Sequence, residues 1–516
     1  MNGKLSIWEI TREYAGIAEA GGVKNVSCSL AENLVKAGMR VTVFIPFYGC
    51  TSIRKLSKIE KLSSSIARIN CNGTEYKIAF SQAEINGVRI VFVMNMIFTE
   101  KKAVYVYTAE EERKDSSCIC GQGHKDANIM NVLFQKAVVA FSQLSGERPD
   151  IVQCQDAHTA ILPAFAKASP AHSALFAKTK FFITIHNAGP GYHQHFNSID
   201  EAYAYTGLPL PLLQTGLLNG QVEPFLVGAS FARLFTVSPW YAEELTNPAN
   251  PDTAGLSTAF SDKRIHIDGI TNGIDFSRYT PTEKTVSLLP YVFDPAGGKF
   301  KGKTLCRKFF LKISKKGDFN VPGLECFGSI EDKPHNVYFS YHGRIVHQKG
   351  LEVLADAAEM LMEKNPDCCF LIMGQGDRVL ENSHITLAEK YPGRYIYIRG
   401  YDRAFVRLCV ASADYIVLPS FFEPCGLEDF IGQIFGTIPL AHATGGLKKI
   451  IDGKTGFLYT PNTPEILSKK MQELATKKQK NPDVLKKIAC YAAKYVRSEY
   501  SWETIIDKYY LPMYYS

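Results

Sequence analysis

Short apolar runs alternate with amphipathic stretches throughout the first half of the chain. These runs predict β-strands at residues 4–10, 40–46, 89–94, 151–154 and 180–185. Gly21 and Gly22 open a segment that predicts a helix as far as Lys36, and Gly38 ends it. Residues 110–125 are charged and contain glycine, which predicts a loop. Strands that alternate with helices indicate a parallel sheet with helices on both faces.

The same rhythm restarts in the second half. Apolar runs predict strands at residues 337–342, 369–373, 395–399 and 414–418, and residues 352–363 predict a helix. A chain of 516 residues is too long for one ordinary core. We therefore predict an α/β fold of two doubly wound, Rossmann-like domains that face each other across a cleft. The predicted domains cover residues 1–268 and 269–490.

Composition and charge narrow the class of protein. Hydrophobic residues make up 46% of the chain and charged residues 21%, as in soluble globular proteins. No apolar run is long enough to cross a bilayer, and the first residues lack the pattern of a signal or transit peptide. We expect a cytoplasmic protein that binds no membrane. The net charge of +7 suits an anionic ligand, but solvated helix faces explain it more simply, and no nucleic-acid partner is expected.

The thirteen cysteines are scattered along the chain and predict no metal site. Cys118, Cys120 and His124 lie close together, but zinc sites need a second matching pair of ligands, which does not follow. Cys368 and Cys369 lie in an apolar run and are predicted to be core residues with reduced thiols.

The most informative segment is residues 419–427, which read Pro-Ser-Phe-Phe-Glu-Pro-Cys-Gly-Leu. It places the carboxylate of Glu423 just after the apolar run at residues 415–418. Open α/β sheets bind ligands at the carboxyl ends of their strands, so this position favours a binding site. The alternative is a loop whose glycine and prolines serve only the turn.

Residues 422–427, Phe-Glu-Pro-Cys-Gly-Leu, resemble the signature of bacterial glycogen synthases and plant starch synthases. Further segments occur in the same order as in that family: Thr184-Ile185-His186-Asn187, Thr236-Val237-Ser238-Pro239, Asn272-Gly273-Ile274-Asp275, Gly343-Arg344, Gln348-Lys349-Gly350 and Tyr500-Ser501-Trp502. The resemblance runs from about residue 5 to about residue 510. It implies the two-domain GT-B glycosyltransferase architecture, in which the last segment, residues 491–516, crosses back to the first domain.

The resemblance implies a retaining glucosyltransferase that needs no cofactor. Its donor would be ADP-glucose or UDP-glucose, and its acceptor the non-reducing end of an α-1,4-glucan. The sequence leaves open which nucleotide is used and how many copies of the chain associate. Arg344 and Lys349 would bind the diphosphate, since a guanidinium binds two phosphate oxygens and an ammonium acts as a point charge. The alternative is a pair of surface cations.

The resemblance also implies the roles of the remaining site residues. Glu423 would orient the transferred glucose, and Gly445 and Gly446 would open a helix whose N–H groups add to the phosphate site. His186 would hydrogen-bond the glucose. Asp156 is a candidate to position the acceptor; a role as general base is disfavoured because the reaction retains configuration. The other expected substrate-binding residues are Gly21, Gly22, His158, Asn187, Cys425, Gly426, Leu427 and Thr444. Asn272 and Asp275 would shape the hinge.

The first half departs from the family pattern. Glu19 stands where the family's Lys-x-Gly-Gly-Leu motif has its lysine, and a carboxylate near a diphosphate is repulsive. Gln155 and Ala157 replace an imidazole and an indole, and Met130 replaces a common arginine. Glu428 follows Leu427 where the family commonly has threonine.

These departures motivate a second hypothesis, a catalytically weak or inactive glucan-binding or scaffolding relative. A third is an enzyme of the same fold that uses another acceptor. A phosphorylase is disfavoured because no segment for a pyridoxal phosphate lysine is recognisable.

Overall fold

The structure is a computed structural model that describes residues 4–315, 319 and 321–516. Contacts divide the chain into two compact units. One contains the residues up to Asn272 together with Ile505–Ser516, and the other is Gly273–Thr504. The division lies four residues beyond the boundary expected at residue 268. Residues 491–516 were expected to cross back to the first domain. Of these, the residues from Ile505 onward group with the first unit.

The first unit is built on a nine-stranded sheet with a small separate hairpin. Its strands are β1 (Ser6–Ile10), β2 (Arg40–Pro46), β3 (Ser57–Cys71), β4 (Thr74–Ile85), β5 (Val88–Met94), β6 (Ile151–Gln155), β7 (Lys180–Ile185), β8 (Leu217–Leu218), β9 (Gln221–Val222), β10 (Arg233–Thr236) and β11 (Ile267–Gly269). The sheet order is β11-β10-β7-β6-β1-β2-β5-β4-β3, and β8 pairs with β9. The strands are parallel except at the β5-β4-β3 edge, which is antiparallel.

The antiparallel edge was not predicted from the sequence. Two-residue Asn-Gly loops join β3 to β4 and β4 to β5, with positive φ at Asn72, Gly73, Asn86 and Gly87. Asn-Gly is favoured in tight hairpin loops because both positions need a left-handed backbone. The local signal was therefore present, but the polar composition of β3 conceals the strand itself.

The second unit contains a seven-stranded sheet. Its strands are β12 (Glu325–Ile330), β13 (Val337–Ile345), β14 (Cys368–Gly376), β15 (Arg394–Arg399), β16 (Tyr415–Leu418), β17 (Ile438–His442) and β18 (Phe457–Tyr459). The order is β12-β15-β14-β13-β16-β17-β18, and only β12 is antiparallel to its neighbour. Side chains of β14 alternate between two buried clusters, with Cys368 in one and Cys369 in the other. Both faces of this sheet are therefore covered, and the prediction that these cysteines are core residues is confirmed.

Helices cover the sheets of both units. The first unit contains α1 (Val23–Lys36), α2 (Met96–Thr99), α3 (Ala109–Lys114), α4 (Ala127–Ser145), α5 (Leu162–Lys167), α6 (Pro170–Ser173), α7 (Ile199–Thr206), α8 (Leu210–Thr215), α9 (Pro224–Gly228), α10 (Pro239–Thr246) and α11 (Leu256–Asp262). The second contains α12 (Lys284–Ser287), α13 (Lys301–Ser314), α14 (Leu351–Lys364), α15 (Arg378–Lys390), α16 (Arg403–Ser412), α17 (Glu428–Ile434), α18 (Pro464–Lys480) and α19 (Pro482–Glu499). The chain ends with α20 (Trp502–Ile505), a π-helical turn at Ile506–Tyr510 and α21 (Leu511–Tyr515). In the described part of the chain, no helix combines the length and apolarity that a bilayer crossing requires.

The structure confirms every predicted strand and the helices predicted at residues 21–36 and 352–363, with ends that differ by a few residues at most. The prediction of a loop at residues 110–125 is wrong in its first part, which forms α3. Thr108 and Glu111 cap this helix reciprocally, each side chain bonding the backbone N–H of the other. Such a capping box stabilises a short helix that charge composition alone does not reveal.

Candidate active site

The loops that follow β13, β16 and β17 lie at one edge of the second unit's sheet. These strands are adjacent and parallel, so their carboxyl ends share that edge. Arg344 lies near the end of β13, and Lys349 lies in the 3₁₀ turn His347–Lys349 that follows. Glu423 follows β16, and Thr444 follows β17. The fold therefore places the predicted donor residues of this unit at the edge where open α/β sheets bind ligands.

Lys349 and Glu423 form the central ion pair of this edge. The Lys349 Nζ lies 2.5 Å from Glu423 Oε2, and Ser420 Oγ donates to the same oxygen at 3.2 Å. Gly350, with φ of +67°, brings the two loops together: a Cβ there would lie 1.9 Å from the carbonyl oxygen of Pro419. Only glycine permits this close approach, so the turn that carries Lys349 packs directly on the segment that carries Glu423.

Arg344 is exposed beside the same turn. Its Nη2 lies 3.3 Å from Gln348 Oε1, and Gln348 Nε2 in turn donates to the carbonyl oxygen of Phe422 at 3.1 Å. The carbonyl oxygen of Arg344 accepts from the Tyr341 hydroxyl at 2.7 Å. The backbone at Arg344 is thus held by hydrogen bonds, while its guanidinium extends from the edge into solvent.

Lys449 organises the glycine-rich segments of this edge, a role that the sequence did not reveal. Its Nζ donates to the carbonyl oxygens of Cys425 at 2.6 Å, Gly426 at 2.8 Å and Gly446 at 3.1 Å. It also lies 2.9 Å from Asp429 Oδ1, and both side chains of this pair are fully buried. Burial raises the pKa of Asp429 to about 6, although Lys449 opposes the rise. Lys449 thereby fixes the backbone of three predicted site residues.

The predicted helix at Gly445 is a short 3₁₀ helix, Gly445–Lys449. The N–H of Gly446 donates to the carbonyl oxygen of Glu423 at 2.8 Å, and that of Leu447 donates to Thr444. The predicted contribution of the Gly446 N–H to phosphate binding therefore needs correction, because this group already bonds within the protein. Leu427 directly precedes α17, and Glu428, at the first position of that helix, pairs with the His342 imidazole.

In the first unit, Asp156 joins the ends of β6 and β7. Its backbone adopts φ of +60°, uncommon for a residue other than glycine, and its Oδ1 accepts from the backbone N–H of His186 at 2.7 Å. Burial raises the pKa of Asp156 to about 7, whereas hydrogen bonds from the backbone of His186 and Asn187 lower it. This carboxyl group therefore fixes the turn that carries two other predicted site residues.

Both predicted histidines are buried and uncharged at neutral pH. Burial lowers the pKa of His186 to about 4, and its Nε2 lies 2.8 Å from Gln155 Oε1. Burial and the nearby Arg12 guanidinium hold the pKa of His158 well below its usual value, and its ring packs 4.9 Å from that of Tyr105. Neutral imidazoles suit hydrogen bonding to hydroxyl groups.

Asn187 supports the turn that follows it. Its Oδ1 accepts from the N–H of Gly189 at 2.8 Å, and the next amide, that of Ala188, donates to the Tyr241 hydroxyl at 2.9 Å. The side-chain oxygen of Asn187 thus accepts a hydrogen bond within its own turn.

Glu13 holds the Gly21–Gly22 turn and is a residue that the sequence interpretation missed. Its Oε2 accepts from the N–H groups of Ala20 at 3.0 Å and Gly21 at 2.5 Å, and its Oε1 accepts from the Tyr105 hydroxyl at 2.9 Å. The signal available in the sequence was a charged residue, Glu13, shortly after the apolar strand β1. Gly22 directly precedes α1.

Glu19 is held as an anion close to this turn. Its Oε2 lies 2.9 Å from Lys24 Nζ, and its Oε1 accepts from the N–H of Gly16 at 2.6 Å. Burial opposes ionisation, but the hydrogen bonds from Lys24 and Gly16 outweigh it and lower the pKa of Glu19. Met130 and Ala157, which depart from the family pattern, lie in the core, since both side chains are buried.

Comparison with known proteins agrees with the fold of two α/β units. Two protein-family models match the chain, the starch synthase catalytic domain at residues 6–260 and the glycosyl transferases group 1 at residues 328–492. The glycogen synthase of Thermodesulfovibrio yellowstonii is 26% identical over 97% of this chain and 95% of its own length. That of Flavobacterium johnsoniae is 27% identical over 87% and 85%.

Solved structures share the fold at lower identity. The catalytic domain of starch synthase IV from Arabidopsis thaliana, bound to ADP and acarbose, has a TM-score of 0.81 at 21% identity over 99% of each chain. Sucrose-phosphate synthase from Thermosynechococcus elongatus has a TM-score of 0.55 at 16% identity over 99% of this chain and 100% of its own. The solved structures show the GT-B fold, and the two family matches together with the full-length likeness to glycogen synthases show that the chain belongs to the glycogen synthase and starch synthase family.

Proposed function

We propose that the protein transfers glucose from ADP-glucose or UDP-glucose to the non-reducing end of an α-1,4-glucan, with retention of configuration. The observation that carries the proposal is the Lys349–Glu423 pair at the carboxyl edge of the second sheet. Transfer from a nucleotide-sugar requires a cation for the departing diphosphate and acceptors for the sugar hydroxyls. A lysine 2.5 Å from a glutamate brings both into one small region.

The leaving group is the diphosphate, which gains negative charge as the bond to the sugar breaks. The Arg344 guanidinium can bind two phosphate oxygens, and the Lys349 ammonium can neutralise a third. Glu423, already positioned by Ser420, can accept hydrogen bonds from glucose hydroxyls through its carboxylate. Because Lys449 and Asp429 fix the surrounding backbone, these groups need little rearrangement when charge develops, which favours the transition state.

In the first unit, we assign His186 to a hydrogen bond with the transferred glucose. Its imidazole is uncharged, so it can accept from or donate to a hydroxyl without adding charge near the sugar. Asp156 acts on this contact through the backbone, because its carboxyl oxygen bonds the His186 N–H. We place the glucan acceptor near Asp156 and His158.

The test is glucose incorporation into glycogen by the purified protein, with ADP-glucose and UDP-glucose supplied separately. Incorporation from one donor, lost in the Lys349→Ala variant, is the expected result. Retention of the product's α configuration would be checked by digestion with an α-1,4-specific amylase. Absence of incorporation from either donor, while the protein still binds glycogen, would overturn the proposal.

Glu19 favours a second candidate function, a glucan-binding relative with little transfer activity. Its carboxylate is ionised and lies beside the Gly21–Gly22 turn, where the family carries a lysine for the nucleotide-sugar phosphates. An anion at that position repels a diphosphate. This candidate predicts retarded migration in glycogen-containing native gels together with negligible transfer from both donors.

A further inference from the structure

A row of polar side chains crosses one face of the first unit's sheet. Parallel pairing places Glu9 of β1 opposite Gln153 of β6, and Gln155 opposite Thr184 of β7. Side chains two residues apart on a strand share a face, so His186, just beyond β7, continues the row. All five side chains are buried, in strands that are otherwise largely apolar. Buried polar groups are costly unless they are hydrogen-bonded, so this row calls for a specific explanation.

Three members of the row form a continuous hydrogen-bonded chain. Gln155 Nε2 donates to Glu9 Oε1 at 2.9 Å, and Gln155 Oε1 lies 2.8 Å from His186 Nε2. Glu9 is 1% exposed and Gln155 2% exposed. In the structure the donor end of this amide, Nε2, faces Glu9, and its acceptor end, Oε1, faces the imidazole. With the carbonyl oxygen facing His186, the ring nitrogen Nε2 must carry the proton, which leaves Nδ1 as an acceptor.

Burial raises the pKa of Glu9 to about 8, while hydrogen bonds from Ser27 and Gln155 oppose the rise. The carboxyl group is therefore mainly neutral at pH 7, and with the Gln155 amide oriented as in the structure it accepts from Nε2 through its carbonyl oxygen. A neutral chain of carboxyl, amide and imidazole places no net charge in the sheet. This accounts for how a glutamate is tolerated at the centre of the unit.

We propose that Glu9 and Gln155 are positioning residues that hold His186 in its Nε2-protonated tautomer, so that Nδ1 is the nitrogen that accepts a hydrogen bond from the sugar. The inference rests on the proposed function for its sugar contact, whereas the tautomer itself does not depend on activity. Gln155 stands where the resembling family has an imidazole, so this arrangement belongs to the glutamine-containing sequence. The tautomer of His186 is selected by the amide of Gln155, which does not change its protonation state near neutral pH.

The decisive measurement is the tautomer of His186, observed by long-range ¹H–¹⁵N correlation in protein labelled with ¹⁵N-histidine. The His186 signals are assigned by their loss in the His186→Gln variant. We expect the pure Nε2–H pattern in the wild-type protein. Gln155→Met removes the amide at nearly constant volume and should introduce the Nδ1–H form. The proposal would be overturned if His186 carried its proton on Nδ1 in the wild-type protein. It would also be overturned if the His186 correlation pattern were unchanged in a folded Gln155→Met variant.

Substitution of Glu9 tests the proposal independently, from the other end of the hydrogen-bonded chain. Glu9→Met should loosen the amide and mix the tautomers, whereas Glu9→Gln should preserve the wild-type pattern because a glutamine carbonyl can still accept from Gln155. This pair keeps the proposal testable if Gln155→Met does not fold. Identical patterns in the two folded Glu9 variants would contradict the proposed role of Glu9.

Kinetics separate positioning from a structural effect. Loss of the correct tautomer should lower kcat by roughly 10- to 100-fold in Gln155→Met while KM for the sugar nucleotide changes little, as for an interaction made mainly in the transition state. Thr184→Val is the matched control, because this buried hydroxyl accepts from Gln153 at 2.6 Å and is not part of the hydrogen-bonded chain of Glu9, Gln155 and His186. An equal loss in both variants would show that the row is only structural. If no donor supports transfer in any variant, the proposed function fails while the tautomer measurement still decides the inference.

Discussion

The Lys349 ammonium lies 2.5 Å from the Glu423 carboxylate, although 74 residues separate them in the chain. Their proximity follows from strand order, because β13 and β16 are adjacent and parallel and each residue follows one of these strands. Each side chain is mostly buried, so the pair is less screened than a surface ion pair. A cation and a carboxylate in this position form the basis of the proposed donor site.

Replacement of Lys349 by alanine should remove the cation proposed to neutralise the diphosphate. We expect kcat/KM for the sugar nucleotide to fall by about 100-fold or more, the range for loss of an electrostatic group at a developing charge. Steady-state rates with varied donor measure this loss. Lys333→Ala is the control, since Lys333 pairs with Glu331 at 2.9 Å in the same unit but lies away from this edge. Unchanged turnover in Lys349→Ala would remove the phosphate assignment.

Replacement of Glu19 by lysine restores the charge that the family carries at this position. If Glu19 alone weakens the donor site, transfer should rise by about tenfold or more, because a repulsion becomes an attraction. The same assay at low and high salt should show a smaller gain at high salt. Glu19→Gln separates loss of the anion from gain of a cation. An unchanged rate in both variants would indicate that the site uses other groups.

Gly446 and Gly22 should respond differently to the same small substitution. A Cβ at Gly446 would lie 2.1 Å from the carbonyl oxygen of Cys425, whereas a Cβ at Gly22 has open space around it. Gly446→Ala must therefore displace the backbone that Lys449 fixes, and we expect loss of transfer and a lower melting temperature. Gly22→Ala should leave the melting temperature within about 2 °C of wild type, as for a substitution without a clash. Similar melting temperatures for the two variants would contradict this packing.

The buried Lys449–Asp429 pair should contribute mainly to the stability of the fold. Lys449→Met leaves an uncompensated carboxylate in a fully buried position, which should lower the free energy of unfolding by about 3 kcal/mol. Urea denaturation followed by fluorescence measures the change. The double variant with Asp429→Leu should recover part of it, because both charges are then absent. Lys454→Met, at an exposed lysine nearby, serves as the control. No recovery in the double variant would mean that Lys449 acts mainly through its bonds to carbonyl oxygens.

Asp156 should make stability depend on pH near neutrality. Burial raises the pKa of Asp156 from its ordinary value of 3.8 to about 7 in the folded protein, so the folded state binds the additional proton between these values. The stabilisation is complete below about pH 4 and is lost as pH rises through 7. Relative to Asp156→Asn, wild-type stability should fall by about 1 kcal/mol per pH unit between pH 5 and pH 7. Denaturation at several pH values measures the difference, with the exposed Asp200→Asn as control. A difference that rises with pH would reverse the sign of the proposed shift.

The sequence identified the repeated strand and helix pattern because that pattern is local. The strands β2 and β7 were predicted to the residue, since an apolar run bounded by charged or turn residues needs no distant partner to be recognised. The hairpin edge β3–β4 was missed although both Asn-Gly loops are visible. β3 is long and largely polar, and the pairing of β3 with β4 and of β4 with β5 is a tertiary property.

The sequence also determined which residues are candidates for the site, through the family resemblance of short segments such as residues 422–427. Tertiary structure alone decided the partners of those residues. Lys449 beneath Gly426 and Gln155 beside His186 depend on contacts between segments 23 and 31 residues apart. Glu13 is only eight residues from Gly21, but its bond depends on how the chain turns back after β1. The physical reason is that periodicity and turn chemistry depend on neighbouring residues, whereas a buried hydrogen bond depends on strand order, register and the direction of each side chain.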